Sequence, residues 1–264
     1  MKYTKTRLFP FVEVSKWSHE LSPNIFKCIV YTNSTHLSYL VREMYTYKHP
    51  HPAVTVDIVV FTIRDNQLKL LLIRRAYEPY KGKWALPGGF VGIDESLEEA
   101  ASRELQEETG VSSVYLEQLY TLGNPKRDPR ERVITVAYYA LIPSDKMQLQ
   151  AATDAEAVGW FGMNELPKLA FDHADIVSMA HQRLVSKLDY STLAFQFLSE
   201  SFTLHELQDI YQIICQEELD KRNFRKWILS LNQIVETGEK RTGGAHRPAM
   251  LYKMKHPDQV AIIK

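Results

Sequence analysis

The sequence predicts an α/β protein in which a larger domain with a mixed sheet precedes a smaller helix-turn-helix domain. Three observations lead to this prediction: apolar runs rich in β-branched residues, an acidic helix after a Gly/Pro-rich loop, and two amphipathic helices followed by a basic hairpin pattern. The 264 residues suffice for one large domain or two small ones, at about 100–200 residues each. The predicted divisions are an extension of uncertain structure (1–50), a sheet domain (51–165), a connecting helix (166–200), a winged-helix domain (201–256) and a tail (257–264).

Composition excludes several classes of protein. Hydrophobic residues make up 45% and charged residues 24%, ordinary globular values that exclude collagen-like, coiled-coil and wholly disordered chains. Lys and Arg (32) balance Asp and Glu (32), but the charge is segregated along the chain, so nucleic-acid binding is not excluded. Cys28 and Cys215 have no metal-ligand spacing and are expected to be reduced. Because neither a signal-peptide pattern nor an apolar run of about 18 residues occurs, we expect a cytoplasmic protein with no membrane partner.

Strands and helices are predicted in the sheet domain and in the segment after it. The strand-like runs are 54–63, 68–75, 114–122, 133–142 and 157–161. The turn sequence RDNQ predicts that the first two runs pair as a hairpin. Helices are expected from near Asp94 and over 173–188. Residues 1–50 show no sustained period, and a short helix around Leu37–Tyr45 is the element suggested there.

The first helix carries three carboxylates in a spacing suited to a metal ion. Glu104, Glu107 and Glu108 lie at i, i+3 and i+4, so they share one helical face at about 100° per residue. Like charges this close repel each other, and hard oxygen ligands suit Mg²⁺ or Mn²⁺. A solvated acidic face is the alternative and is the usual cause of a charge run. Here Glu108 projects between Leu97 and Ala101 on the inward arc of the helix, which favours metal binding.

Glycines lie before and after this helix. The PGG sequence at Gly89 lets the backbone turn sharply and approach a ligand closely, so the Gly89 carbonyl is a further candidate metal ligand. Gly110 stands where a C-terminal glycine is expected. Arg103 is expected to orient a neighbouring carboxylate such as Glu95 rather than to touch a substrate.

Residues 89–111 match the complete Nudix box, G-x5-E-x7-R-E-U-x-E-E-x-G-U, in which U is a bulky apolar residue. A chance match has a probability of about one in a billion per start position. Residues 52–165 or so are therefore identified as a member of the Nudix family. The resemblance implies an α/β/α sandwich, metals held by the three glutamates, and hydrolysis of a nucleoside diphosphate linked to another moiety by a metal-activated water. The candidate catalytic residues are Glu104, Glu107, Glu108, Arg103 and, as a weaker candidate for the general base, Glu156.

Substrate contacts are predicted around the loop that precedes the box. Arg74 and Arg75 could clamp a phosphate, or they are two surface arginines at a sheet edge. Trp84 and Phe90 could stack on an adenine, although core packing is the favoured alternative for these aromatic residues. Family members that hydrolyse ADP-ribose tend to carry a proline downstream of the box, and the polar loop 123–133 contains two prolines near that place.

The last third has the pattern of a winged helix-turn-helix. Thr203 and Glu206 form a capping-box pattern before one amphipathic helix, and Asp220 is the next candidate N-cap. Between Asp220 and His256, nine Lys and Arg oppose three Asp and Glu, so this segment carries +6. The second helix has an apolar face and an opposite cationic face, as a recognition helix in a major groove requires. The candidate DNA-binding residues are Arg222, Arg225 and Lys226 on that helix and Arg241 and Arg247 on the hairpin.

Two alternatives to DNA binding stay open for this segment. The basic helix could simply be solvated. The module could also serve only to dimerise, in which case the apolar residues would form an interface instead of a core. These residues are Phe224, Trp227, Ile228 and Leu231.

A Nudix box followed by this module resembles the Nudix-related transcriptional regulators of NAD metabolism, the NrtR family, over about residues 44–255. The likeness is carried by VTVDIVVFTIRDNQLKLLLIRR, GKWALPGGFV and KRTGGAHRPAMLYKM. It implies an ADP-ribose sensor that binds operator DNA as a homodimer. Many members have a damaged box, whereas this sequence keeps every box residue. The leading hypothesis is therefore a Mg²⁺-dependent pyrophosphatase that cleaves ADP-ribose to AMP and ribose 5-phosphate, and the alternative is an NrtR-like repressor. Residues 1–43 precede the resemblance and are expected to be an extra arm or an upstream-start artefact.

Overall fold

The computed structural model describes residues 25–30, 38–43, 48–112, 114–143, 155–242, 248–257 and 259–263, with the backbone alone at 25–30, 38–43, 155 and 156. The chain divides into two compact units, residues 1–51 and 52–264. In the first unit, β1 (Ile25–Val30) pairs antiparallel with β2 (Ser38–Glu43). The expected helix around Leu37–Tyr45 is wrong for Ser38–Glu43, because the neighbouring strand, not a helical turn, supplies the backbone hydrogen bonds.

One mixed sheet of seven strands forms the centre of the second unit. Its strands are β3 (Ala53–Arg64), β4 (Gln67–Arg75), β5 (Trp84–Ala85), β6 (Gly88–Phe90), β7 (Tyr115–Leu122), β8 (Val133–Ile142) and β9 (Ala155–Gly162). The order is β5-β4-β3-β8-β7, with β6 paired to β3 and β9 paired to β4. The central pair β3 and β8 is parallel and the other pairs are antiparallel. The predicted mixed sheet and its first hairpin are confirmed.

Helices cover both faces of this sheet, α1 (Leu97–Thr109) on one and α2 (His173–Leu188) on the other. Successive residues of a strand point to opposite faces, so β3 contributes to two cores. Val56 and Ile58 belong to the cluster under α1, whereas Val59 belongs to the cluster under α2. The result is the α/β/α sandwich that the family resemblance implied.

Local sequence fixes where α1 begins and ends. The Ser96 side chain accepts a hydrogen bond from the Glu99 backbone N–H, and the Glu99 carboxylate accepts one from the Ser96 backbone N–H at 2.8 Å. This reciprocal capping box satisfies amide groups that have no partner in the helix. At the other end Gly110 adopts a left-handed conformation, with φ of +76°, which a glycine reaches without strain.

The last part of the unit is a winged helix-turn-helix. Its elements are α3 (Leu204–Cys215), α4 (Lys221–Ser230), β10 (Ile234–Arg241) and β11 (Ala249–Met254), the two strands pairing antiparallel. Thr203 and Glu206 form the predicted capping box of α3, and Asp220 caps α4 by accepting a hydrogen bond from the Asn223 N–H. Phe224 is buried on the inner face of α4.

The core continues from the sheet into the winged helix without a break. α2 is followed by a short 3-10 helix, Leu193–Phe197, and then by α3. A single cluster of buried side chains contains residues from the sheet, from α2, from the 3-10 helix and from the winged helix, including Phe61, Leu184, Phe195, Leu207 and Tyr252. The predicted connecting segment therefore forms part of the shared core.

The end of the chain also packs on this core. Ile263 donates a backbone hydrogen bond to the Tyr190 carbonyl at 2.8 Å, and Thr192 donates one to the Ala261 carbonyl at 2.9 Å. Residues 259–263, predicted as a tail, thus run beside the segment that follows α2. In the described part of the chain, no helix combines the length and the apolarity that crossing a bilayer requires.

Replacing Leu184 by Ala tests the shared core. Leu184 is fully buried in α2, so the variant is expected to lower the free energy of unfolding by about 2–5 kcal/mol through lost burial and a cavity. Urea denaturation followed by far-UV circular dichroism measures this. Gln182→Ala, on the exposed face of the same helix, is the control and should change the value by less than about 0.5 kcal/mol. Equal stabilities of the two variants would contradict the shared core.

Candidate functional site

Two carboxylates of α1, Glu104 and Glu108, are half-buried beside the PGG turn. The Gly88 backbone N–H donates a hydrogen bond to Glu108 Oε2 at 2.8 Å. Burial raises the pKa of Glu108 to about 8, and it also raises the pKa of Glu104. Glu107, by contrast, is exposed. Desolvated carboxylates beside one another need a positive partner, which is what a cation would supply.

Arg103 is the hydrogen-bonding centre of the acidic helix. Its Nε and Nη2 donate to the two oxygens of Glu95 at 2.9 and 2.7 Å, as expected for a residue that orients this carboxylate. Nη1 donates to Glu104 at 2.7 Å and to Glu107 at 3.2 Å. The bonds from Arg103 lower the pKa of Glu95 to about 2. One guanidinium thus bonds to three carboxylates, and the group keeps a net negative charge.

The surroundings of Gly89 fit a metal-binding role for this helix. A methyl group at Gly89 would overlap the carboxylate of Glu104, so a larger residue here would displace this carboxylate from its present position. The carboxylate donor set has the chemistry that Mg²⁺ and Mn²⁺ prefer. In the described residues no three His, Cys, Asp or Glu side chains converge as a ready-made ligand cluster. Glu104 and Glu107 are turned to Arg103, and Glu108 to the Gly88 N–H.

A second, buried charge network lies beside the box. The Arg127 side chain, 4% exposed, donates through Nη2 to Asp57 at 3.1 Å and to Asp172 at 2.8 Å. Arg127 Nε also donates to Asp172, at 3.0 Å, and the Thr135 hydroxyl donates to Asp57 at 2.7 Å. Asp57 is in β3, Arg127 is in the loop between β7 and β8, and Asp172 is the N-cap position of α2. The network therefore joins the sheet, the loop and the connecting helix.

His173 completes this network as a neutral imidazole. The Leu86 backbone N–H donates to Nδ1 at 2.9 Å, so the ring proton resides on Nε2, which faces Asp57 Oδ1 at 3.4 Å. Burial lowers the pKa of His173, and this outweighs the raising effect of Asp57. His173 is the first residue of α2, and its imidazole thereby connects this helix to Leu86, two residues before Gly88.

The predicted substrate residues occupy different environments. Arg75 is half-buried, with its guanidinium 4.9 Å from the centre of the Phe171 ring, and Phe90 is exposed. Arg74 is exposed and donates through Nε to the Gly82 carbonyl. Trp84 packs edge-on against Phe161, with ring centres 4.7 Å apart, next to the main core. Core packing is thus favoured for Trp84, while Arg75 and Phe90 face the region beside the box.

The cationic face of α4 points outward. Arg222, Arg225 and Lys226 are exposed, whereas Phe224 and Ile228 are buried within a single chain. The apolar face is thus largely core, which argues against a role solely as a dimer interface. Outward basic groups on a helix backed by a hairpin form a candidate surface for a polyanion.

Three further predicted site residues are Arg241, Glu156 and Arg247. The structure describes the side chain of the first of them only. Arg241 on β10 is ion-paired with Glu206 of α3 and also donates to the Ser201 carbonyl at 3.2 Å. A contact of Arg241 with DNA would therefore compete with an internal ion pair. The side chain of Glu156 and the whole of Arg247 lie outside the described residues.

The chain matches two family models and aligns with relatives over most of its length. Residues 51–180 match the model of the NUDIX domain, and residues 194–254 match that of the NrtR DNA-binding winged helix domain. An ADPR responsive transcriptional repressor NtrR from Acinetobacter baylyi is 41% identical over 214 residues, 80% of this chain and 85% of the relative. The chain belongs to the NrtR family.

Other NrtR-family and Nudix relatives agree with this assignment. The crystal structure of Shewanella oneidensis NrtR complexed with a 27mer DNA superposes with a TM-score of 0.70 at 40% identity, covering 78% of this chain and 94% of that one. An ADP-ribose pyrophosphatase from Methanocaldococcus jannaschii is 42% identical over 137 residues, 52% of this chain and 78% of the relative. The fold of an NrtR-family protein, a Nudix domain followed by a winged helix, is thus confirmed.

Sequence reasoning missed the buried network of this NrtR-family chain. Asp57 carried a signal, since it is a lone acid in the apolar run VTVDIVVFTI. Arg127 and Asp128 carried none, because KRDPRER has the composition of an exposed polar loop, yet both are buried. Asp172, the partner of Arg127 at the N-cap of α2, is 45 residues away, a separation that local patterns do not reveal.

The neutral state of His173 leads to a pH prediction. Because its pKa is lowered in the folded protein, the unfolded chain binds more protons below about pH 6.5, and stability falls as the pH falls through that value. His173→Asn keeps an acceptor for Leu86 and removes the titrating group. Between about pH 7.5 and 5.5 the parent is expected to lose up to about 1 kcal/mol more unfolding free energy than the variant. Identical losses, measured by chemical denaturation, would show that His173 is not held neutral.

Proposed function

We propose that the protein is an ADP-ribose-responsive, DNA-binding transcriptional regulator whose Nudix domain also hydrolyses ADP-ribose in the presence of a divalent cation. The observation that carries the proposal is the hydrophobic core that joins a winged helix with a cationic outer face to the sheet whose other face carries the intact Nudix box. The relative that aligns over most of both chains is described as an ADPR responsive repressor, which favours regulation as the main role. Assembly as a homodimer stays a prediction, which sizing of the intact protein tests.

Hydrolysis is the second activity, and the intact box favours it. Glu104, Glu107 and Glu108 would hold the cation, with the Gly89 carbonyl as a further ligand. A bound Mg²⁺ or Mn²⁺ would offset the charge of the diphosphate and lower the pKa of water. Arg103 keeps the neighbouring carboxylates oriented, and the Gly88 N–H fixes Glu108. Attack of water on one phosphorus of ADP-ribose then gives AMP and ribose 5-phosphate.

The carboxylates are tested by product analysis. Incubation with ADP-ribose and Mg²⁺ should yield AMP with the parent, and the double variant Glu107→Gln/Glu108→Gln should be at least about 100-fold slower, because charge stabilisation at the diphosphate is lost. Glu98→Gln, an exposed change on the same helix, should retain the parent rate. AMP formation at equal rates by the double variant and the parent would exclude catalysis by the box.

The winged helix is tested by a gel-shift assay at several salt concentrations. Arg222→Ala/Arg225→Ala should weaken DNA binding at least about tenfold and reduce the slope of log affinity against log salt by about one per lost phosphate contact. The charge-matched control Lys168→Ala/Arg183→Ala alters basic residues outside the winged helix and should bind as the parent does. A parent that shifts no DNA even at low salt would contradict the regulator proposal, and a double variant with full affinity would contradict the role of α4.

A further inference from the structure

The PGG turn, residues 87–89, is bonded on two sides by parts of the chain that are distant in sequence. On one side Gly88 and Gly89 pair with the central strand β3. On the other side, one residue before the turn, the Leu86 backbone N–H donates to His173 Nδ1 at 2.9 Å. His173 is the first residue of α2 and lies 87 residues further along the chain. The turn that carries the Gly89 carbonyl is therefore held by both the sheet and α2.

Successive backbone donors at the turn bond to the two helices on opposite faces of the sheet. Leu86 is buried, so its N–H depends on an acceptor within the protein, and a buried N–H that loses its acceptor is costly. Pro87 has no N–H. The next donor is the Gly88 N–H, which bonds to Glu108 at 2.8 Å. The bond from Leu86 to α2 and the bond from Gly88 to α1 thus set the position of the turn between the two helices.

The buried charge network orients the imidazole that receives the Leu86 bond. His173 Nε2 faces Asp57 Oδ1 at 3.4 Å. The other oxygen of Asp57 accepts hydrogen bonds from Arg127 at 3.1 Å and from the Thr135 hydroxyl at 2.7 Å. His173 is only 3% exposed, so the ring is enclosed as well as bonded. The direction of Nδ1 is therefore fixed by the fold before any ligand binds.

The turn has little room to move toward β3. A Cβ at Gly88 would overlap the Val56 carbonyl oxygen, so the backbone of the turn already lies directly against the strand. With that contact in place, a change in the position of the turn relative to the box must alter its bonds to Glu108 or to His173. An acceptor at His173 Nδ1 is therefore a requirement for the present position of the Gly89 carbonyl.

We propose that His173 is a positioning residue for the cation site: its Nδ1 holds the PGG turn where the Gly89 carbonyl and the box carboxylates can share one divalent cation, and it ties this turn to α2. The inference rests on the proposed function, which places a cation at this turn. His173 acts through the backbone at Leu86 and touches neither the cation nor the nucleotide. Groups that support metal ligands from behind typically change metal affinity about 10–100-fold when they are removed. Because His173 begins α2, a cation that fixes the turn also fixes the start of this helix.

The test replaces His173 by two amide residues, each of which reproduces one ring nitrogen. His173→Asn places an amide oxygen near the position of Nδ1 and can accept from Leu86, whereas His173→Gln places its amide near Nε2 and can donate to Asp57. Binding of Mn²⁺ alone to the intact protein is measured by electron paramagnetic resonance of the free ion. The affinity should stay within about threefold of the parent in His173→Asn and fall at least about tenfold in His173→Gln. His181→Gln, at a half-buried histidine further along α2, is the matched control and should bind as the parent does.

Hydrogen exchange of the intact protein in EDTA reports on the turn without a cation. The Leu86 amide should exchange slowly in the parent and in His173→Asn, and faster in His173→Gln, because only the last variant lacks the acceptor. Addition of Mn²⁺ should then slow exchange at the start of α2 in the parent and in His173→Asn. The same addition should have little effect there in His173→Gln, since the bond between the turn and the helix is lost.

Several outcomes would overturn the proposal. Equal Mn²⁺ affinity in the two folded amide variants would do so, as would equal protection of Leu86 in both, because a histidine that serves only to fill the core predicts no such difference. Circular dichroism identifies a variant that fails to fold. If His173→Gln fails, the parent decides, and exchange at the start of α2 that Mn²⁺ leaves unchanged overturns the tie. A parent that binds no Mn²⁺, with Leu86 protected in His173→Asn and not in His173→Gln, would uphold the hold of His173 on the turn and contradict the proposed cation chemistry, so the two failures are distinguishable.

Discussion

The buried guanidinium of Arg127 holds together the three parts of the molecule that meet at the candidate site. It bonds to Asp57 in the central strand and to Asp172 at the start of α2, and it is itself part of the loop that carries Arg130. A charge this deeply buried is tolerated because two carboxylates compensate it. Removing Arg127 would leave these two carboxylates without their shared counter-charge, so the loop, the sheet and the helix keep one relative arrangement. The position of Arg130 beside Arg75 and Phe171 depends on it.

The helix that begins at this network is the physical connection between the two functional halves. α2 is fixed at its first residues by Asp172 and His173, and near its end Lys187 donates to Glu117 of β7 at 2.6 Å. The same helix packs into the core that reaches the winged helix. A ligand can shift DNA affinity only if it binds two arrangements of the protein differently. The contacts of Asp172 and His173 at the start of α2 are where a bound ligand could favour one arrangement over the other.

The sequence predicted those features that depend on residues close together in the chain. The box, its Arg103–Glu95 contact, the capping box at Thr203, and the hairpin of β3 and β4 all follow from local patterns. The sites that escaped prediction depend on residues brought together by the fold. Arg130 meets Phe171 across 41 residues of sequence, and no local signal marks either as part of a site. The composition of the loop between β7 and β8 also led to a wrong expectation. Its proline and charged residues indicate an exposed loop, yet Arg127 and Asp128 are buried.

Communication between the Nudix domain and the winged helix is tested most simply by the effect of ADP-ribose on DNA affinity. A labelled duplex, selected by the protein from a random-sequence library, would be titrated with the intact protein by fluorescence anisotropy, with and without saturating ADP-ribose. We expect weaker DNA binding with ADP-ribose and, by linkage, ADP-ribose binding weakened by the same factor when DNA is present. Equal DNA affinity in both conditions, with ADP-ribose shown to be bound, would contradict communication between the Nudix site and the winged helix.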